Sequence, residues 1–116
     1  FKNSNCFAYT GTHDNETLIG WVDNMPPKNL KFARKYLNVK KLCKIPYAVI
    51  KCTWASIAQT AVAQIQDFIE SEADGRMNTP STLGKNWQFR TVNSDFSPAL
   101  SLEIKRLNKL YNRLGE

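Results

Sequence analysis

Cys6-Phe7-Ala8-Tyr9-Thr10-Gly11-Thr12-His13-Asp14-Asn15 starts as a short apolar, aromatic run and ends in a glycine turn that presents three polar side chains together. The run Cys6 to Tyr9 reads as a buried strand leading into a loop. In a (β/α)8 barrel the catalytic groups sit at the C-terminal ends of the strands, which would make His13, Asp14 and Asn15 candidate site residues. A second reading fits as well. Asp14 and Asn15 are good helix N-caps, since their side-chain oxygens can accept the free N–H groups of a first helical turn.

Downstream of this stretch the pattern is helical. Glu16 to Met25 predicts a short helix stopped by Pro26-Pro27, and Leu30, Phe32, Ala33, Tyr36 and Leu37 mark a second, amphipathic one. Pro46 is tolerated in a first turn, and the residues from it to Ala58 are apolar nearly all round, so this helix must be covered on most sides. Ala61 to Ile65 predicts a second buried strand ending at Gln66-Asp67. Glu70 to Phe96 lacks periodicity and reads as a long loop, a kind that is often functional. Ser97 and Pro98 open a last helix with a stripe of Leu100, Ile104, Leu107, Tyr111 and Leu114. Two strands joined through helices should be parallel neighbours, as in an α/β unit. Two strands cannot close a sheet, so open edges point to partners beyond these residues.

Bulk properties exclude several classes. The chain has 116 residues, 42% of them hydrophobic, which suits one small globular unit. It opens on Phe1 rather than Met and reads as a truncated or processed fragment; no basic region followed by an apolar stretch marks a signal peptide. The most apolar segment, Ile45 to Ile65, is broken by Lys51, Gln59 and Gln64, which argues against a membrane span. Cys6, Cys43 and Cys52 form no CxxC pair and suit neither zinc nor a disulfide framework, so they predict reduced, mostly buried thiols in a cytoplasmic protein. The net charge is +6, but the cations at Lys28–Lys44 and Lys105–Arg113 fall on helical stretches and read as solvated faces. A small basic binding module, for nucleic acid or for carbohydrate without catalysis, is the alternative class, although a charge-driven binder has no need of His-Asp-Asn; a third is an interaction domain whose apolar Pro46 to Ala58 helix docks on a partner chain, which merges with a fragment reading if the partner is the rest of a barrel.

A second informative stretch is Gly75-Arg76-Met77-Asn78-Thr79-Pro80-Ser81-Thr82-Leu83-Gly84-Lys85-Asn86-Trp87. Its polar groups can line a sugar pocket and Trp87 can stack on an apolar sugar face; equally, Leu83 and Trp87 can pack a long loop. Taken together, Tyr9 to Asn15, Gln66-Asp67, Gly75 to Pro80 and Gly84 to Trp87 resemble the motifs of glycoside hydrolase family 77, the amylomaltases and plant disproportionating enzymes. The resemblance covers essentially the whole chain. One segment departs from it: Phe68-Ile69-Glu70-Ser71-Glu72-Ala73-Asp74 stands where the family usually has a glycine-rich Leu-Gly-Leu-Gly-Ser-Glu-Ala.

The resemblance implies that residues 1–116 are the C-terminal part of a catalytic domain, supplying about strands seven and eight of a (β/α)8 barrel with their helices. It implies a retaining 4-alpha-glucanotransferase that moves α-1,4-glucan segments between acceptors. An aspartate nucleophile and a glutamate acid, set about 5–5.5 Å apart, are expected on strands four and five, upstream of Phe1. Asp14 matches the third carboxylate, which stabilises the oxocarbenium-like transition state. His13 matches a donor to the same sugar and Asn78 a sugar-contacting residue. No metal or organic cofactor is implied. The expected partners are maltooligosaccharide, the rest of the barrel and, for the free chain, a second copy of itself; neither nucleic acid nor a membrane is expected.

Overall fold

Pairing of Phe7–Tyr9 (β1) with Thr60–Val62 (β2) organises the chain. The computed structural model describes residues 3–114. The two strands run parallel, with Phe7 opposite Thr60, Ala8 opposite Ala61 and Tyr9 opposite Val62. Their crossover carries three helices, α1 (Leu18–Asp23), α2 (Pro27–Tyr36) and α3 (Ile45–Trp54). A short α4 (Ile65–Phe68) follows β2, and α5 (Pro98–Leu110) closes the order after a long irregular stretch. The parallel pair and the helical crossover are those expected from the sequence.

Local chemistry sets the helix boundaries. Thr17 caps α1, its hydroxyl accepting from the Gly20 N–H at 3.1 Å. Proline occupies the first turns of α2, α3 and α5, where its missing N–H costs nothing. The Ser97 hydroxyl caps α5 through the Leu100 N–H. The helix expected over Pro46 to Ala58 stops at Trp54, and the strand expected over Ala61 to Ile65 stops at Val62. Ile65 instead opens α4, which places Gln66 and Asp67 on a helix, both buried. The long loop from Glu70 holds 3₁₀ turns at Ala73–Gly75 and Asn93–Asp95 and is otherwise irregular. Glu70 adopts φ 54°, a backbone state that favours glycine, in the very segment that lacks the family's glycines.

The helix α3 is the centre of the packing. Ile45 and Ile50 are fully buried, and Ile50 and Trp54 join Leu18 and Leu107 in one cluster. Val22, Ala33 and Ile45 form a second. The Trp54 indole meets Phe68 edge-on and donates to Asn108 at 2.7 Å, so this large residue is held from two sides. Trp54 is therefore core. The lysines and arginines of α2 are solvated, as the charge pattern predicts. The thiols depart from expectation: Cys43 and Cys52 are exposed and Cys6 is half-buried.

Ala61 and Ala63 pack against the α3 cluster, so the helices cover one face of the sheet. Alternation sends Phe7, Tyr9, Thr60 and Val62 to the other face. There Phe7 is 65% and Tyr9 53% exposed, although a buried strand was expected. The reason is geometric. Among the described residues the helices lie on one side of the two-stranded sheet and nothing covers the other.

The end of α3 carries a clamp that sequence patterning did not reveal. The last carbonyls of a helix have no intrahelical partner. Arg113, just beyond α5, donates to the carbonyls of Trp54, Ser56 and Ala58 at 2.7–3.0 Å. Replacing Arg113 by Ala strands those acceptors and unpins α5. The expected loss is about 2 kcal/mol, near the roughly 1.5–3 kcal/mol of one hydrogen bond to a charged donor, because the part-buried carbonyls are rehydrated in the variant. A urea melt checks it by a lowered midpoint at unchanged slope.

Candidate active site

The polar turn stands at the C-terminal end of β1. Thr10 still donates its N–H to the Val62 carbonyl, and the chain then leaves the sheet. Asn15 closes the turn on itself: its Oδ1 accepts from the backbone N–H and the hydroxyl of Thr12, at 2.7 and 3.0 Å. A Cβ at Gly11 would lie 3.1 Å from the Gln64 amide and 3.2 Å from Asn15 Cβ, so any larger residue there must push these neighbours aside. With Asn15 committed to the turn and Thr17 capping α1, neither Asp14 nor Asn15 is the helix cap. The Asp14 side chain is left for another purpose.

That side chain meets the second motif. Asn78 donates its amide to Asp14 Oδ1 at 2.6 Å, and the Asn78 N–H donates to the His13 carbonyl at 3.0 Å. Arg76 reinforces the junction. Its guanidinium donates to the Asp14 carbonyl at 2.6 Å and to the Asn78 carbonyl at 2.8 Å. Two segments more than sixty residues apart thus lock together around one carboxylate. His13, Asp14 and Asn78, singled out from the sequence, are brought into one group. The His13 imidazole lies 3.4 Å from Asp14 Oδ1, and both side chains are about half exposed.

The loop from Gly75 to Trp87 supports the group from outside. The Trp87 N–H donates to the Met77 carbonyl, and its ring lies against His13 with centroids 4.9 Å apart. Trp87 therefore braces His13, an arrangement the sequence reading of a sugar-stacking or loop-packing tryptophan did not contain. Leu83 is fully exposed and packs nothing. Asn86 holds the loop instead, accepting from the Thr79 N–H and donating to Thr82. Gly75 is buried, and a side chain there would collide with Ser71.

A cleft of about 480 Å3 opens over the turn, lined by Tyr9, Thr12, Asp14, Glu16, Trp21 and Arg76 among others. A second groove, about 490 Å3, lies between α1, α2 and α3; its lining is mainly apolar and includes Trp21, Phe32 and Tyr36. The polar side chains gather at the first. One Asp14 oxygen is taken by Asn78, which fixes the carboxylate plane, and the residue stays accessible as an acceptor for ligand hydroxyls. Beside it His13 offers ring nitrogens. Among the described residues no cluster of three or more His, Cys, Asp or Glu side chains is placed to hold a metal ion. None of their helices is long and apolar enough to cross a membrane.

Comparison with known proteins gives a consistent result. The profile of the 4-alpha-glucanotransferase family, glycoside hydrolase family 77, matches residues 2–94. A 4-alpha-glucanotransferase of Clostridium butyricum is 38% identical over 110 residues, covering 94% of this chain and 23% of that protein. A chloroplastic/amyloplastic 4-alpha-glucanotransferase of Oryza sativa subsp. japonica is 39% identical over 110 residues, covering 92% of this chain and 18% of its own length. In three dimensions the chain is similar to an amylomaltase from Streptococcus agalactiae solved in complex with acarbose, with a TM-score of 0.92 and 34% identity; the match takes in 97% of this chain and 23% of that one. The chain thus spans less than a quarter of the length of these relatives.

Proposed function

The chain belongs to glycoside hydrolase family 77, the 4-alpha-glucanotransferases, and we propose that it supplies the transition-state-stabilising part of such an enzyme. In this reading β1 and β2 are strands seven and eight of a (β/α)8 barrel. Their second face, where Phe7 and Tyr9 are bare, is turned to the barrel interior. The nucleophile and the acid/base come from strands four and five of the same protein. The observation that carries the proposal is the placement of Asp14: at the C-terminal end of a parallel strand, held by Asn78 and Arg76, and open to an incoming ligand.

The mechanism follows from that placement. An aspartate attacks the anomeric carbon of an α-1,4-glucan while a glutamic acid protonates the leaving oxygen, giving a glycosyl-enzyme and a shortened glucan. The hydroxyl of an acceptor sugar then attacks the same carbon, returns its proton to the glutamate and releases the aspartate. Both steps pass through an oxocarbenium-like state. Asp14 accepts hydrogen bonds from ring hydroxyls beside the reacting carbon, and these bonds strengthen as positive charge develops. His13 donates to the same sugar, steadied by Trp87. Asn78 orients Asp14 as well as reaching the sugar. Only an acid, a base and a nucleophile are required, so the reading calls for no cofactor.

A binding module driven by charge explains less. The lysines and arginines of α2 stand on solvated faces, Arg76 and Arg113 are spent on backbone carbonyls, and the ordered polar group surrounds an acidic residue. Free thiols, two of them exposed, fit a reducing compartment such as the cytoplasm. Incubating the full-length protein with maltotriose tests the reading. Transfer yields maltopentaose and glucose with no net gain of reducing ends. Maltose and glucose alone, the products of hydrolysis, would overturn it, as would unchanged maltotriose.

A further inference from the structure

Asp67 is a buried carboxylate that no step of this mechanism uses. It is only 5% exposed, yet both of its oxygens are occupied. Oδ2 accepts from the Thr10 hydroxyl at 3.0 Å, and Oδ1 accepts from the Leu18 backbone N–H at 2.8 Å. Those two donors flank Gly11 to Thr17, the loop that carries His13 and Asp14. One side chain therefore ties both ends of the loop to α4.

The neighbouring residue acts on the other limb. Gln66, 4% exposed, donates its amide to the Gly75 carbonyl at 3.2 Å. Gly75 precedes Arg76, which grips the Asp14 carbonyl. Thr17, at the end of the first loop, also donates its hydroxyl to the Glu72 carbonyl at 3.1 Å. The two segments that meet at Asp14 are thus both anchored on adjacent residues of a single helical turn.

We propose that Gln66 and Asp67 are the positioning residues of this site, Asp67 fixing the loop that bears Asp14 and Gln66 fixing the limb that bears Arg76 and Asn78. The inference rests on the proposed role of Asp14. It gives buried polar groups a function: an error of about 1 Å in a reacting constellation costs on the order of a hundredfold in rate, and a loop has few packed neighbours to prevent it.

The work of Asp67 is geometric rather than electrostatic. Burial pushes its carboxyl up from the usual carboxylate value, against the lowering pull of its hydrogen bonds from the Leu18 N–H and the Thr10 hydroxyl. An asparagine keeps the geometry. Its oxygen accepts from Leu18, and its NH2 group donates to the Thr10 hydroxyl, which can accept as readily as donate.

The experiment compares Asp67→Asn, Asp67→Ala and Thr10→Val in the full-length enzyme, each alone and combined with Asp14→Asn, on maltotriose. Asp67→Ala is expected to lower kcat by roughly ten- to a hundredfold with KM within about threefold. Thr10→Val, which removes one of the two ties, loses about tenfold, and Asp67→Asn stays within about threefold of wild type. In the Asp14→Asn background the further loss from Asp67→Ala or Thr10→Val shrinks below about threefold, because there is no longer a carboxylate to place. Wild-type kcat in Asp67→Ala would overturn the proposal. If that variant fails to fold, Thr10→Val decides in its place. An Asp67→Asn loss as large as the alanine variant's, or losses that multiply with Asp14→Asn, would also overturn it. A near wild-type Asp14→Asn instead refutes the role of Asp14 itself, whereas a crippled Asp14→Asn beside a normal Thr10→Val refutes only the positioning.

Discussion

Replacing Asp14 by Asn in the full-length enzyme is expected to lower kcat roughly a hundredfold or more while leaving KM nearly unchanged. The substitution is almost isosteric. The Asn78 amide can still donate to the retained Oδ1, so the turn and the contact at 2.6 Å persist. What disappears is the charge, and the second oxygen becomes an NH2 group that cannot accept from a sugar hydroxyl. A neutral substrate senses little of this in the ground state. The oxocarbenium-like transition state senses it strongly, because a hydroxyl that donates to a carboxylate relays negative charge toward the developing cation. A hundredfold corresponds to about 2.7 kcal/mol, within the range of one well-placed group acting on transition-state charge. Initial rates against maltotriose concentration separate the two constants. A rise in KM at constant kcat would make Asp14 a simple binding residue, and unaltered kinetics would leave it a turn residue.

The site was legible where chemistry is concentrated in short motifs. His13-Asp14-Asn15 at the end of an apolar run pointed to a strand end bearing functional groups, and the structure gathers His13 and Asp14 with Asn78. Spacing could not divide the labour among the three. Asn15 and Asp14 are both short polar acceptors, and only the Thr12 contacts show that Asn15 is spent on the turn. The role of Gln66-Asp67 was equally hidden. The pair was placed at the end of a strand, where it would have followed the sheet; β2 ends at Val62, and the pair points inward from a helical turn instead. Hydrophobic periodicity cannot see this, because Ile65 and Phe68 satisfy either reading over so few residues.

The burial of β1 was misjudged for a physical reason that does not extend to Cys43 and Cys52, which lie on the helical side. The apolar strand Cys6 to Tyr9 and the thiols were read as interior because such residues are usually buried. That rule presumes enough chain to cover them. Among the described residues one sheet face has no cover, while the α3 side, where Ile50 and Trp54 meet Leu107, is packed as a normal core. The same composition therefore gives a well-formed half and an open half.

The largest expected effect concerns the 116-residue chain on its own: pure, it should release no glucose from maltotriose above buffer. Asp14 can strengthen a transition state only if another carboxylate attacks the anomeric carbon and an acid protonates the leaving oxygen, and in the proposed reading both come from elsewhere in the protein. Activity in the isolated chain would contradict the truncated-barrel reading outright. The physical state of the free chain is a companion test. Phe7 and Tyr9 stand exposed on the open sheet face, and Phe32 and Tyr36, each 69% exposed, stack on α2 at the open apolar groove. Strand edges and apolar patches of this kind drive association. The helices should outlast the sheet, since their hydrogen bonds are local and a two-stranded pair is marginal alone. Light scattering is therefore expected to find more than one copy, and circular dichroism a mainly helical spectrum. Trp54 should take no part, because it is already enclosed by Phe68 and Asn108. A cooperative, monomeric melt would show that the piece needs no neighbour, and the case for a missing barrel would weaken with it.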